Sequence, residues 1–114
     1  MLEVDLKEFM ELQKKFDMTV QQEPHESKNT WLIRLATAIK GEVIELQEAL
    51  GYLPDGMKKW WKKSTNYDHV FEESIDVLHF LLSFWNHLEV SAEDVWKEYD
   101  RKMEINFKRQ DENY

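Results

Sequence analysis

The stretch from Asn66 to Leu88, NYDHVFEESIDVLHFLLSFWNHL, decides the fold of this chain more than any other. Ser64, Thr65 and Asn66 offer caps for the start of a helix, and the residues from Ile75 to Leu88 are apolar nearly all round it. A helix of this kind is typical of a protein interior. The stretch therefore predicts a central helix whose acidic residue Asp76 points into protein rather than into water.

Helix signals recur on both sides of this stretch. Three further helices are predicted, over about Leu6 to Asp17, over about Thr30 to Leu50 with Gly51 as a left-handed C-terminal cap, and from a Ser91–Asp94 capping pair toward Arg109. Residues 57–63 are predicted to add one or two helical turns. Helices of this length with short connections predict an all-α fold, an antiparallel four-to-five-helix bundle forming one domain over residues 1–114.

The composition excludes several classes of function. The 114 residues carry 15 Lys and Arg against 23 Asp and Glu, so the net charge of −8 argues against a general duplex-DNA binder, and no nucleic-acid partner is expected. The absence of cysteine excludes disulfide frameworks, zinc knuckles and thiol nucleophiles. The longest run without Asp, Glu, Lys or Arg, residues 77–88, is too short to cross a bilayer. We expect a cytoplasmic protein with no membrane partner.

The aromatic content is high for a chain of this size. Five Trp, four Tyr and six Phe present more apolar surface than a bundle with a radius of gyration of about 13 Å can readily bury alone. Oligomerisation explains this excess, and so does the stacking of rings on a ligand. The two explanations are compatible, and oligomerisation is favoured.

Two pairs of acids stand in apolar surroundings. Glu42 and Glu45 are spaced i, i+3, as are Glu73 and Asp76, so each pair lies on one helix face. Like charges at this spacing repel, and burial of unpaired carboxylates is costly, so two facing pairs indicate a cation such as Mg²⁺ between them. The alternative is that these acids are surface residues paired with lysines.

A di-iron centre fits less well, because its Glu-x-x-His ligands would come from several helices and only Asp76-x-x-His79 approaches that pattern. Basic residues form two further clusters. The first cluster flanks Trp60-Trp61 and consists of Lys58, Lys59, Lys62 and Lys63. The second lies at the end of the last helix and consists of Lys102, Lys108 and Arg109. Such clusters suit phosphate groups, although solvated helix faces explain them equally well.

The acid spacing resembles a known signature. Glu42-x-x-Glu45 followed by Glu73-x-x-Asp76 is similar to the ExxE…ExxD pattern of the all-α nucleoside triphosphate pyrophosphatases, which include MazG-like proteins and dimeric dUTPases. Three further segments resemble the dimeric dUTPase branch. They are Leu12-Gln-Lys-Lys-Phe-Asp17, Met57-Lys-Lys-Trp60, and Tyr99-x-x-Lys102-x-x-x-Asn106-x-x-Arg109-Gln-Asp-x-x-Tyr114.

The resemblance implies hydrolysis of dUTP to dUMP and pyrophosphate by a homo-oligomer, a dimer or a tetramer. It implies two or three Mg²⁺ ions held by Glu42, Glu45, Glu73 and Asp76, with Glu45 orienting and deprotonating the attacking water. The remaining implied roles are phosphate contacts from Lys102, Arg109 and more weakly Lys58, and nucleoside contacts from Gln13, Asn106, Tyr114 and Trp60.

Two alternatives stay open at this point. The first is a MazG-like pyrophosphatase acting on dCTP or on a modified nucleotide. The second is a non-catalytic helical adaptor that oligomerises through its Trp-rich surface and uses the acids only as surface charge. Dependence on Mg²⁺ separates an enzyme of either kind from the adaptor.

Overall fold

The computed structural model describes residues 3–20, 26–53, 55–61 and 64–112. Four helices account for most of these residues, and they confirm the predicted all-α bundle. The helices are α1 (Leu6–Val20), α2 (Lys28–Ala49), α3 (Tyr67–Leu88) and α4 (Ala92–Asp111). No helix among the described residues combines the length and apolar character needed to cross a membrane.

Polar caps set the helix boundaries. The Asn66 side chain accepts hydrogen bonds from the first turn of α3, and Ser91 with Asp94 forms the predicted capping box at the start of α4. Gly51, with φ of 89°, follows the end of α2 in the predicted left-handed conformation. Helix α2 begins slightly earlier than predicted because the Ser27 hydroxyl accepts the main-chain N–H of Thr30.

The connection after α2 differs from the prediction. Residues 57–61 form no helix, and Lys62 and Lys63 lie outside the described residues. The chain instead folds back on itself, with an isolated antiparallel bridge between Tyr52 and Lys58 and a 2.6 Å hydrogen bond from the Lys59 N–H to the Gly51 carbonyl. The left-handed glycine turns the chain back at the end of α2, so this tight loop replaces the expected helical turns.

Helix α3 is central, as predicted. It pairs extensively with α2 and also packs on α1, which in turn contacts α4. Two side chains of α3 donate hydrogen bonds to α1. Ser83 donates a 2.6 Å hydrogen bond to the Asp17 carboxylate, and Asn86 donates a 2.9 Å hydrogen bond to the Met10 carbonyl.

The bundle is more open than predicted. Its radius of gyration is 17.3 Å, against the expected value of about 13 Å. Few apolar side chains of the described residues are buried, namely Met10, Leu35, Ala49 and Leu82, whereas many large ones are exposed on α1, α3 and α4. The aromatic excess noted in the sequence is therefore an excess of exposed apolar surface in the isolated chain.

Candidate active site

A cavity of about 970 Å³ lies between α1, α2 and α3. Its walls are mostly apolar and aromatic, and its polar lining groups come from three helices, α1, α2 and α3, each of which carries one of the five predicted motif segments. The lining residues include Phe9, Gln13, Phe16 and Asp17 from α1, Trp31, Leu35 and Glu42 from α2, and Ile75, Asp76, His79, Phe80 and Ser83 from α3. A mostly apolar cleft with a few convergent polar groups is the usual form of a small-molecule site.

Three of the four predicted acids converge in this region. Carboxylate oxygens of Glu42, Glu73 and Asp76 all lie within 4.8 Å of one another. One buried oxygen of Glu42 and one of Glu73, Oε2 in each case, accept no hydrogen bond from the part of the chain that the structure describes. Buried carboxylate oxygens are costly when they are left without partners, so this cluster is incomplete as it stands.

The cluster perturbs the protonation of its α2 member. Partial burial, and then the negative charges of Glu45, Asp76 and Glu73, raise the pKa of the Glu42 carboxyl above its ordinary value. The protonated form of Glu42 is therefore favoured in the folded protein relative to the unfolded chain. A cation among these acids would oppose this shift because it attracts the ionised form.

The central acid is less buried than its apolar neighbours suggested. The side chain of Asp76 is 44% exposed, because it opens onto the cavity rather than into packed protein. The Nδ1 atom of His79 lies 3.7 Å from an Asp76 oxygen, and the Nε2 atom of His69 lies 3.6 Å from a Glu73 oxygen. Both histidines are thus neighbours of the acids, and neither belongs to the three-acid cluster itself.

Glu45 lies outside this three-acid cluster. It is exposed on α2, one turn beyond Glu42, and its charge acts on the Glu42 carboxyl. An exposed carboxylate beside an acid cluster is placed to contact water.

A second polar group lies on the α1 side of the cavity. The Nε2 atom of Gln13 donates a 2.9 Å hydrogen bond to Oδ1 of Asp17, and the Ser83 hydroxyl donates to Oδ2 of the same carboxylate. Asp17 and Ser83 are both buried. The sequence motif indicated Gln13 and the polar position four residues later, but it did not indicate Ser83. The signal for Ser83 was a lone hydroxyl within the apolar run of α3.

The other predicted site residues lie apart from the cavity. Lys102, Asn106 and Arg109 are exposed on α4, and Lys58 and Trp60 are exposed in the loop after α2, with Trp60 83% exposed. None of these five lines the cavity in the described parts of the chain. Tyr114 falls outside the described residues. A single chain thus brings together Gln13, Glu42, Glu73 and Asp76, but not the predicted basic residues.

The cluster suits a hard divalent cation. Its donors are all carboxylate oxygens, which Mg²⁺ prefers, and two buried oxygens lack hydrogen-bond partners among the described residues. Glu42, Glu73 and Asp76 would hold such an ion, with Glu45 one turn away. The nitrogen and sulfur ligands that softer metals favour are absent from the cluster as described.

Known proteins with similar sequences include enzymes that act on nucleoside triphosphates. A dCTP pyrophosphatase of Enterobacteria phage T4 is 29% identical over 105 residues, in a match covering 75% of this chain and 61% of the phage protein. The chain thus spans less than two thirds of the length of this relative. No solved structure matches it significantly. A family model described as dUTPase matches residues 5–91, which include the cavity and the acid cluster. The chain therefore belongs to the all-α dUTPase family.

Proposed function

We propose that this protein is a Mg²⁺-dependent pyrophosphohydrolase that converts dUTP to dUMP and pyrophosphate. The observation that carries the proposal is the joining of an acid cluster to an apolar, aromatic cavity that also contains a polar amide. A triphosphate needs countercharge at one end, and a base needs flat apolar surface and polar contacts at the other. The match to the dUTPase family supports this substrate class.

Each of the four acidic residues has a proposed role in hydrolysis. Glu42, Glu73 and Asp76 hold the divalent cations, and Glu45 orients the attacking water and takes its proton. Mg²⁺ held by these residues would supply positive charge that stabilises the negative charge developing on the triphosphate. The water oxygen bonds to one of the two phosphorus atoms that share the α–β bridging oxygen, the bond from that phosphorus to the bridging oxygen breaks, and dUMP and pyrophosphate are released. Glu45 is exposed and close to the cluster, so its carboxylate is accessible to water there.

The base lies at the α1 end of the cavity in this proposal. The Gln13 amide offers both an acceptor and a donor to a uracil edge. Phe9, Phe16, Trp31 and Phe80 line the same cavity and supply aromatic surface for the base.

The basic residues act from a second chain. Helix α4 has no buried residue and exposes Trp96, Tyr99 and Phe107. We propose a homodimer in which this apolar surface is covered and Lys102, Asn106 and Arg109 approach the cavity of the partner. Lys58, Trp60 and Tyr114 remain proposed contacts of the nucleotide.

A second substrate is supported by a separate observation. The similar phage protein is named a dCTP pyrophosphatase, so dCTP is the alternative nucleotide for this site. The adaptor hypothesis is less well supported, because it gives no reason for three acids to converge beside an apolar cavity.

A panel of deoxynucleoside triphosphates tests the proposal directly. Pyrophosphate release is measured for dUTP, dCTP and dTTP with Mg²⁺ and with EDTA. We expect Mg²⁺-dependent release, fastest with dUTP. Preference for dCTP would favour the alternative substrate, and no release from any nucleotide would contradict the enzyme proposal.

A further inference from the structure

Asp17 is a buried carboxylate that the proposed chemistry does not use. It lies on α1 and lines the cavity, but it is not one of the three clustered acids. Its Oδ2 atom accepts the Ser83 hydroxyl at 2.6 Å, and its Oδ1 atom accepts Nε2 of Gln13 at 2.9 Å. Ser83 comes from α3, so the position of this carboxylate is fixed from across the helix interface.

The chemistry of a carboxylate fixes the orientation of the neighbouring amide. An ionised carboxylate only accepts hydrogen bonds, so Gln13 must turn its NH₂ group toward Asp17 and its carbonyl oxygen away. An asparagine at position 17 would present either a donor or an acceptor, and the Gln13 amide could then take either orientation. The negative charge of Asp17 is therefore what makes the orientation unique.

The orientation of the amide decides which pyrimidine it can pair with. Uracil carries a donor at N3 and an acceptor at O4, whereas cytosine carries an acceptor at N3 and a donor at N4. With the ring held in one place, an amide whose carbonyl faces N3 and whose remaining N–H faces O4 pairs with uracil. Cytosine needs the two amide groups in the opposite order, and the wrong order leaves buried polar atoms unpaired.

We propose that Asp17 is a positioning residue that sets the base preference of the cavity by holding the Gln13 amide in a single orientation, with Ser83 as its anchor. This inference rests on the proposed function, because it takes Gln13 as the contact to the base. It assigns to Asp17 a role in selecting uracil over cytosine and none in the hydrolytic step.

The test compares Asp→Asn variants at two positions, one within α1 and one at its N-terminal cap. Asp17→Asn keeps the shape of the side chain and removes its charge. Asp5→Asn removes the same charge from an exposed helix cap that asparagine fills equally well. We expect Asp17→Asn to lower the ratio of kcat/KM for dUTP over dCTP by about tenfold or more, the scale of one unpaired buried group. Most of this change should come from a lower KM for dCTP. Asp5→Asn should leave the ratio as in the native protein.

A second background shows whether Asp17 acts through Gln13. In Gln13→Ala protein, the further change Asp17→Asn should leave the dUTP to dCTP ratio unaltered. A ratio that falls equally in both backgrounds would mean that Asp17 meets the base directly or acts only on the fold. A ratio that Asp17→Asn does not change in the native background would also overturn the inference.

Should Asp17→Asn fail to fold, the native protein still provides a test. The Gln13 side-chain NH₂ resonances, assigned by their loss in Gln13→Ala, should show slower hydrogen exchange than those of the exposed Gln110. Equal exchange rates would contradict the hydrogen bond on which the inference depends.

The proposed function and this inference fail in distinguishable ways. If the native protein releases pyrophosphate from no nucleotide, the proposed function fails. If it prefers dUTP and Asp17→Asn keeps that preference, the proposed function stands and the inference fails. If the native protein prefers dCTP, both the proposed substrate and the proposed pairing of the Gln13 amide with uracil are wrong.

Discussion

Carboxylate oxygens of Glu42 on α2 and Glu73 on α3 lie within 4.8 Å of each other. Each residue also has a buried oxygen with no hydrogen-bond partner among the described residues. Two ionised acids at this distance repel each other, so their packing lowers the stability of the metal-free protein. The predicted effects of Mg²⁺, of pH and of substitution at this cluster all follow from this repulsion.

The first prediction concerns metal binding. Mg²⁺ should raise the melting temperature of the native protein because it binds the folded cluster and not the unfolded chain. At a free concentration a hundred times its dissociation constant the gain is about 2.7 kcal/mol, or roughly 10 °C. Glu73→Gln and Asp76→Asn should abolish the shift, which differential scanning fluorimetry measures. The neighbouring exposed Glu72 provides a matched control, since Glu72→Gln should keep the full shift. Equal shifts in Glu72→Gln and Glu73→Gln would show that the cluster is not the metal site.

The second prediction concerns pH. A raised pKa means that the folded state binds the Glu42 proton more tightly than the unfolded chain does. The stability that this proton contributes is present below the ordinary glutamate pKa, and it is lost as the pH rises through the raised pKa. Melting temperatures measured with EDTA should therefore decline over this range. Glu42→Gln should remove that part of the decline and melt above the native protein at pH 7. A Glu42→Gln protein that melts below the native protein at pH 7 would argue against repulsion in the cluster.

The third prediction separates hydrolysis from base choice. Glu45→Gln should reduce kcat by about 10²–10⁴ with every nucleotide, the usual contribution of a general base. We expect the native protein to prefer dUTP over dCTP and dTTP by at least about a hundredfold in kcat/KM. Gln13→Ala should reduce this preference more than it slows pyrophosphate release. Steady-state kinetics on the nucleotide panel measure both effects. A Glu45→Gln enzyme with native kcat would remove Glu45 from the catalytic step.

The fourth prediction concerns assembly. The exposed apolar side chains of α1, α3 and α4 should be covered by a second copy of the chain, most simply with two-fold symmetry. Light scattering at micromolar protein should then give about twice the 13.9 kDa of one chain, or a higher multiple for a tetramer. Phe107→Glu introduces a charge on the exposed face of α4 and should shift the protein toward monomer. A mass near 14 kDa for the native protein would contradict the proposed homodimer.

The helices were predictable because their signals are local. Asn66, Ser91 and Gly51 act within one turn of the helix ends they define, so the printed sequence is enough to place those ends. The helical turns expected over residues 57–63 were predicted wrongly because the pairing of Tyr52 with Lys58 depends on the chain folding back. The openness of the bundle was also missed, since it depends on how whole helices pack and not on any short pattern.

The clustered acids of the site were predictable from the sequence, but contacts between helices were not. The i, i+3 spacing indicated Glu42, Glu73 and Asp76, which do converge. The spacing could not show that Glu45 stays exposed, because that depends on the rotation of α2 against α3. Ser83 was missed for the same reason, since its contact with Asp17 joins two helices whose relative register no local pattern specifies.

The polar groups at and beside the cavity come from different helices, with the amide and its carboxylate on α1 and the clustered acids on α2 and α3. If the base lies at the α1 end, as proposed, one short helix can diverge while the hydrolytic residues are retained. Substitutions confined to a single turn of α1 would then give descendants with new nucleotide preferences. This division of the cavity would let nucleotide preference evolve without any change at the clustered acids.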